Sequence, residues 1–318
     1  MMAGFAYFLF FGMALVNVAS PTYTPCDSCT DRANSTQLEN IELYIFTGDA
    51  ENTSVLIGAA TDLVVKIDAS KPTVLYFHGW TESSKSTSVQ TIVAAYLERA
   101  DHNVLVLDYS EIAGEAWNYA YLSTEGVGYT VAIALDEMVA AGLDATTLNL
   151  VGHSLGAQVM GYIGKNVNFT IPKITGLDPA GPGFTETDSH LQASDADFVE
   201  IIHTEASYLG IDYSAGDVDF WPNGGSSQPG CSTTSELVQI TCSHARSWAY
   251  FAESLSDEDA FLAIACDSYT EFEAGSCSSN TEEIMGYATP NTTAGNYMLQ
   301  TNSDSPYGRG VEGTTYVE

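Results

Sequence analysis

The stretch LNLVGHSLGAQVM, residues 148 to 160, places Ser154 between two glycines, behind a valine–leucine run and ahead of a helix-compatible one. A serine hydroxyl becomes a nucleophile only when a base takes its proton and donors await the oxyanion. Strand, tight turn and helix around Gly-x-Ser-x-Gly is the context that exposes such a hydroxyl. The small Gly152 and Gly156 permit the turn, and the Leu155 N–H at the helix start points to where an oxyanion would form. The alternative is a serine that merely sits in a turn. What separates the two is whether the chain supplies a base, an orienting acid and a second donor in a workable order.

Asp178 ends the next apolar run, in GLDPAGPGF. The prolines and glycines behind it turn the chain at the carboxyl end of a strand, where open α/β sheets carry their sites. Alone, an Asp-Pro aspartate more often makes a local turn bond. The chain has six histidines. His78 and His153 flank the candidate site, His203 ends a strand, and His102 and His190 lie in polar connections. His244, in ITCSHARSW, comes late and opens a helix-compatible run. Ser154, Asp178 and His244 give the chain order Ser…Asp…His, with His244 placed to take the serine proton and Asp178 to orient it, the order that goes with a strand-turn-helix nucleophile. In LYFHGW a strand runs into His78 and Gly79, and the Trp80 N–H is the candidate second donor. His78 reads as a brace for this loop rather than a reacting group.

These residues need a scaffold. Short β-branched runs recur at Thr73–His78, Asn103–Tyr109, Leu148–Gly152, Lys173–Asp178 and Phe198–Thr204. Between them SVQTIVAAYLERA and VGYTVAIALDEMVAAG carry apolar residues at helical spacing. The alternation predicts βαβ units in a mostly parallel sheet with helices on both faces, a single α/β domain over residues 21–318. The segment IELYIFTG…SVLIG reads as an antiparallel hairpin at one edge.

Residues 1–20 are almost wholly apolar and uncharged, and read as a signal peptide cut near Ser20. An N-terminal membrane anchor is the alternative, although the run is short for a span. An even count of six cysteines and four Asn-x-Ser/Thr sequons, at Asn34, Asn52, Asn168 and Asn291, agree with a secreted, disulfide-forming, glycosylated protein. The net charge of −32 with 45% hydrophobic residues means an acidic coat on a folded core, not a disordered acidic chain. That coat excludes nucleic acid as a partner and repels anionic membranes. It suits an alkaline lumen and mere solubility equally well.

YFHGW, GHSLGAQ, GLDPAGPGF, IIHT, DFWPNGGSSQPGC, CSHARS and NYMLQTNSDSPYGRG occur in the order seen in the pancreatic lipase superfamily. The chain resembles its secreted insect lipases and short-lidded phospholipases A1 from about residue 38 to 310. The resemblance implies an α/β-hydrolase fold with Ser154 as nucleophile, Asp178 as orienting acid, His244 as base, and backbone donors at Trp80 and Leu155. Larger relatives continue into a β-sandwich domain, which is not expected here, and a colipase partner is not expected with it.

The departures are informative. Gln158 stands where relatives usually have a second histidine, and should tune packing only. His190 and Gln192 replace charged residues of the family's calcium loop, and Asp195 alone makes no cage of oxygen ligands, so neither calcium nor any other cofactor or metal is expected. By resemblance Cys231 and Cys242 staple a lid of ten residues, too short for a helical flap that could bury the site, and Cys266 and Cys277 form a structural bridge. Cys26 and Cys29 remain as a local disulfide by exclusion; a zinc site would need partners that are not evident. The fourteen residues between IIHT and DFWPNGG are also few. In this family short loops accompany phospholipase or galactolipase activity. The expectation is a serine esterase acting on phospholipid at sn-1, or on neutral glycerolipid, at a micelle or membrane surface. The rival is a non-catalytic lipid carrier on the same fold, as insect yolk proteins are.

Overall fold

The computed structural model describes residues 32–48, 52–184 and 190–318. The expected signal peptide and the Cys26–Cys29 pair lie outside the described residues. Among the described residues eleven strands form one sheet: β1 (Glu42–Phe46), β2 (Thr53–Leu56), β3 (Thr73–Phe77), β4 (Asn103–Asp108), β5 (Leu148–His153), β6 (Lys173–Leu177), β7 (Val199–Ile202), β8 (Val218–Pro222), β9 (Leu262–Ala265), β10 (Glu282–Ile284) and β11 (Gly295–Leu299). Their spatial order is β10-β9-β11-β8-β7-β6-β5-β3-β4-β1-β2. The seven central strands, from β4 to β11, are mutually parallel. Antiparallel pairs close both edges, β1–β2 against β4 and β9–β10 against β11.

Among the described residues seven α-helices accompany the sheet: α1 (Ser35–Glu39), α2 (Thr87–Arg99), α3 (Ser110–Ala113), α4 (Trp117–Ala140), α5 (Leu155–Gly164), α6 (Glu236–Ser256) and α7 (Tyr269–Glu273). Strand side chains alternate between faces. Leu75, Phe77, Leu105, Leu107 and Leu150 pack with α4 and α5 on one side. Val74, Tyr76, Val104, Val106 and Val151 pack with α2 and α6 on the other. All five side chains of β3 are buried, which is why its sequence is a continuous apolar run rather than an alternating one. This is an α/β-hydrolase sheet covered on both faces.

The five expected parallel strands and the edge hairpin are present, with ends shifted by one or two residues. Strands β8 to β11 were not anticipated as strands. VDFWP contains Asp and Pro, and EEI is three residues with two charges, so neither carries the apolar signature. Helix α4 begins ten residues before the apolar periodicity suggested, at Trp117.

Candidate active site

Strand β5 enters α5 through Ser154 alone, so the chain reverses within one residue. Ser154 takes φ 53° and ψ −117°, a region that L-residues rarely occupy. A Cβ on Gly156 would lie 2.4 Å from Phe77 O, and one on Gly152 would lie 2.8 Å from Gly156 O. Only hydrogen fits at either position, which explains the spacing of the two glycines around the serine.

The turn is docked on the next strand. Ser154 donates its N–H to Leu177 O at 3.0 Å, and the Ala180 N–H returns to Ser154 O at 3.1 Å. These two bonds bracket Asp178, which has φ 49°. Its carboxylate is fully buried. Oδ1 accepts the Thr204 N–H at 2.8 Å and the Glu205 N–H at 3.1 Å. Oδ2 lies 2.5 Å from His244 Nδ1. Two oriented backbone donors hold one carboxylate oxygen, so the other is fixed on the imidazole. Burial lowers the His244 pKa below its usual 6.5, with the His153 side chain adding to the effect and Asp178 opposing it. The imidazole is therefore a free base at neutral pH.

His244 does not open its helix as the sequence suggested. It lies in the third turn of α6, which begins at Glu236. The Cys231–Cys242 and Cys266–Cys277 bridges are formed. Cys242 is inside α6, so the second half of the expected lid, from residue 236, is the start of that helix. The stapled segment is continuous with the helix that carries His244.

Trp80 follows β3 on the loop facing the serine turn. Ser154, Thr81 and Glu82 commit their N–H groups to Leu177 O, Ala113 O and Gly79 O. Among the described residues the Trp80 and Leu155 N–H groups have no such acceptor. For Leu155 this is the ordinary state of the first N–H of a helix. The Trp80 indole donates to Glu115 O at 2.8 Å and meets the Trp117 ring edge-on at 5.4 Å. His78 braces the loop from below: its ring stacks on Tyr109 at 4.4 Å and accepts the Tyr109 N–H at 3.3 Å.

Gln158 is completely buried. It donates to Ala180 O at 2.7 Å and accepts the Leu191 N–H at 2.8 Å, tying the segment after Asp178 to residue 191. Asp195, the candidate calcium ligand, is occupied otherwise. It accepts from Lys165 Nζ at 2.6 Å and from the Gln192 N–H at 3.0 Å, and Lys165 also donates to His190 O at 2.9 Å. An ammonium thus sits on Asp195, and the donor set found there among the described residues does not fit calcium. The metal-like grouping Cys266, Glu271 and Cys277 is likewise closed, because its two sulfurs are bonded to each other.

Of the sequons, Asn52, Asn168 and Asn291 are exposed and Asn34 is half-buried. Asn34 caps α1, and the Asn168 amide bonds Asp136. Two functional-looking carboxylates were missed. Glu205 accepts the Leu209 and Tyr208 N–H groups, and burial raises its pKa to about 7. Glu82 accepts the Gly79 N–H. Both carboxylates sit in loops, where hydrophobic periodicity carries no signal.

Comparison with known proteins accounts for this arrangement. The family model described as Lipase matches residues 16–307. The chain belongs to the lipase family. It is 34% identical to Lipase member H-B of Xenopus laevis over 70% of its length and 50% of that protein. It is 31% identical to Phospholipase A1 member A of Bos taurus over 80% of its length and 58% of that protein. It is 35% identical to Lipoprotein lipase of Bos taurus over 81% of its length and 60% of that protein. The lipase-family chain thus spans about half to three-fifths of these curated relatives.

Proposed function

We propose that this lipase-family chain is a secreted carboxylic-ester hydrolase that cleaves acyl esters of lipids through an acyl-enzyme on Ser154. The observation that carries the reading is the buried Asp178–His244 bond of 2.5 Å beside the strained Ser154 turn. His244 Nε2 takes the Ser154 proton as Oγ attacks the ester carbonyl carbon, and the Trp80 and Leu155 N–H groups receive the oxyanion. The imidazolium, held by Asp178, then protonates the leaving alkoxide. Water, deprotonated by His244, releases the fatty acid and restores Ser154.

Lipid is the favoured substrate class for two reasons. The family relatives named Phospholipase A1 and Lipoprotein lipase both take lipid by name. The segments around the triad also present apolar side chains to solvent, Tyr208 at 56% and Leu237 at 69% exposed, and the two segments meet where the Tyr208 hydroxyl donates to Glu236, next to Leu237, at 3.2 Å. A surface-seeking rim of this kind suits a micelle or membrane surface. The stapled segment of ten residues is too short to cover the site, which favours a phospholipid cleaved at sn-1 over triacylglycerol. Export is supported by both bridges and the exposed sequons; no helix among the described residues is long and apolar enough to cross a membrane. Lys165 on Asp195 supports activity without calcium, and nothing in the reading calls for a colipase.

The test is fatty-acid release from mixed micelles of distinguishable phosphatidylcholine and triacylglycerol, with Ser154→Ala as the blank and chelator in both arms. Release by the wild type alone supports the reading, and the labelled acid identifies the lipid. Equal release by both proteins would leave the lipid carrier as the better account.

A further inference from the structure

Glu82 lies two residues after Trp80, with its side chain 20% exposed. Oε2 accepts the Gly79 N–H at 2.6 Å and lies 3.4 Å from His153 Nδ1. Oε1 accepts the Ser88 hydroxyl at 2.6 Å. The His153 ring in turn packs against the His244 ring, centroids 4.6 Å apart at 46°. With Nδ1 turned to Glu82, the His153 Nε2 is buried with no hydrogen-bond partner among the described residues. The result is a row of four groups, Glu82–His153–His244–Asp178, in which two imidazoles lie between two carboxylates.

This row spans both halves of the oxyanion site. Glu82 grips Gly79, one residue before the Trp80 donor. It also contacts His153, one residue before Ser154 and two before the Leu155 donor. Resting on the hydrolase reading above, we propose that Glu82 is a positioning residue of the active site, which holds the two oxyanion donors in register and steadies the positive charge His244 gains when Ser154 attacks. The carboxyl is ionised throughout the working range: burial pushes its pKa up, but the His153 side chain, the Ser88 hydroxyl and the Gly79 N–H hold it at about 2. The ionisable groups acting on His244 are His153 from the end of β5, Asp178 from the end of β6, and Glu82 from the Trp80 loop, with Glu205 behind Asp178. Glu82 favours the imidazolium, as Asp178 does, and His153 disfavours it.

The test is a pH profile of p-nitrophenyl butyrate hydrolysis by the full chain, wild type against Glu82→Gln, Glu82→Ala and Ser154→Ala. Glutamine keeps the size and still accepts the Gly79 N–H, and its NH2 donates to the Ser88 hydroxyl, which rotates to accept, so it removes the charge while keeping both contacts. Its kcat should fall about threefold to tenfold with KM unchanged, since positioning is disturbed less than by deleting a donor. Its acid limb of kcat/KM should move to lower pH, because losing a negative charge lowers the His244 pKa. Alanine also releases the loop, and its kcat should fall about a hundredfold, near the loss seen when one oxyanion donor is removed. A Glu82→Gln enzyme with wild-type kcat and an unmoved acid limb overturns the proposal. So does activity lost only in step with the folded fraction seen by circular dichroism, which would make Glu82 a fold-holding residue. Equal rates for wild type and Ser154→Ala would refute the hydrolase reading and this inference together, whereas an active wild type, a dead Ser154→Ala and an unshifted Glu82→Gln would refute this inference alone.

Discussion

Asp178→Asn is the substitution whose outcome follows most directly from the hydrogen bonds. Asn keeps the shape of Asp, so the buried turn is undisturbed. Oδ1 receives two backbone N–H groups, from Thr204 and Glu205. An asparagine must therefore present its carbonyl to them. Turning the NH2 group that way would leave two buried donors unpaired at about 1–3 kcal/mol each. The NH2 is thus fixed toward His244 Nδ1, which must become the acceptor. The imidazole proton moves to Nε2, and His244 can no longer take the Ser154 proton. The expected loss is about 10⁴-fold in kcat, or roughly 5 kcal/mol at 1.36 kcal/mol per factor of ten, with little change in KM. The assay is steady-state hydrolysis of p-nitrophenyl butyrate above the Ser154→Ala background, beside a thermal melt. A folded Asp178→Asn protein with kcat within tenfold of wild type would refute the reasoning.

Other outcomes follow from the same geometry. Ser154→Gly should melt above Ser154→Ala, because glycine relieves about 1–3 kcal/mol of strain at φ 53° against an entropic cost of about 0.5–1 kcal/mol; the reverse order by calorimetry would show the turn is unstrained. Gln158→Leu strands Ala180 O and the Leu191 N–H in the core, and denaturant unfolding should register a loss of about 2–5 kcal/mol. Activity of the wild type should fall as pH drops through a value below 6.5, where His244 takes up a proton; a rate constant already falling at pH 7.5 would contradict the buried-base assignment. Glu205 titrates at about 7 when folded against 4.5 unfolded, so the folded state holds the extra proton between these values and stability declines as pH rises from 4.5 to 7. Glu205→Gln should therefore raise the melting temperature at pH 8 more than at pH 5.

Parts of this arrangement are legible in the sequence because burial leaves a compositional trace. The central strands carry side chains into two cores at once, so VLYF within β3 and VLVL within β4 are unbroken apolar runs. Ser154 and Gly156 are legible because a one-residue reversal tolerates few residue types. Strands β8 and β10 are not: β10 lies at the sheet edge and needs no such run, and β8, though central and buried, gives one position to Asp219, whose carboxylate lies 2.7 Å from His203. Glu82 and His153 are 71 residues apart in sequence, and Glu205 acts on N–H groups within its own loop. Loop carboxylates look like ordinary surface charge in a chain with 41 acidic residues. Only the fold brings them to the triad. Lys165 is similar: nothing before the fold shows that its ammonium reaches Asp195.

The central claim is that Ser154 is a nucleophile activated by His244, and covalent trapping tests it most directly. The full chain would be treated with a fluorophosphonate probe, weighed intact by mass spectrometry and mapped by peptide. The account predicts one adduct per chain, on Ser154, absent from Ser154→Ala and formed far more slowly by Asp178→Asn. A chain that takes up no label while folded, or labels equally after Ser154→Ala, would contradict it.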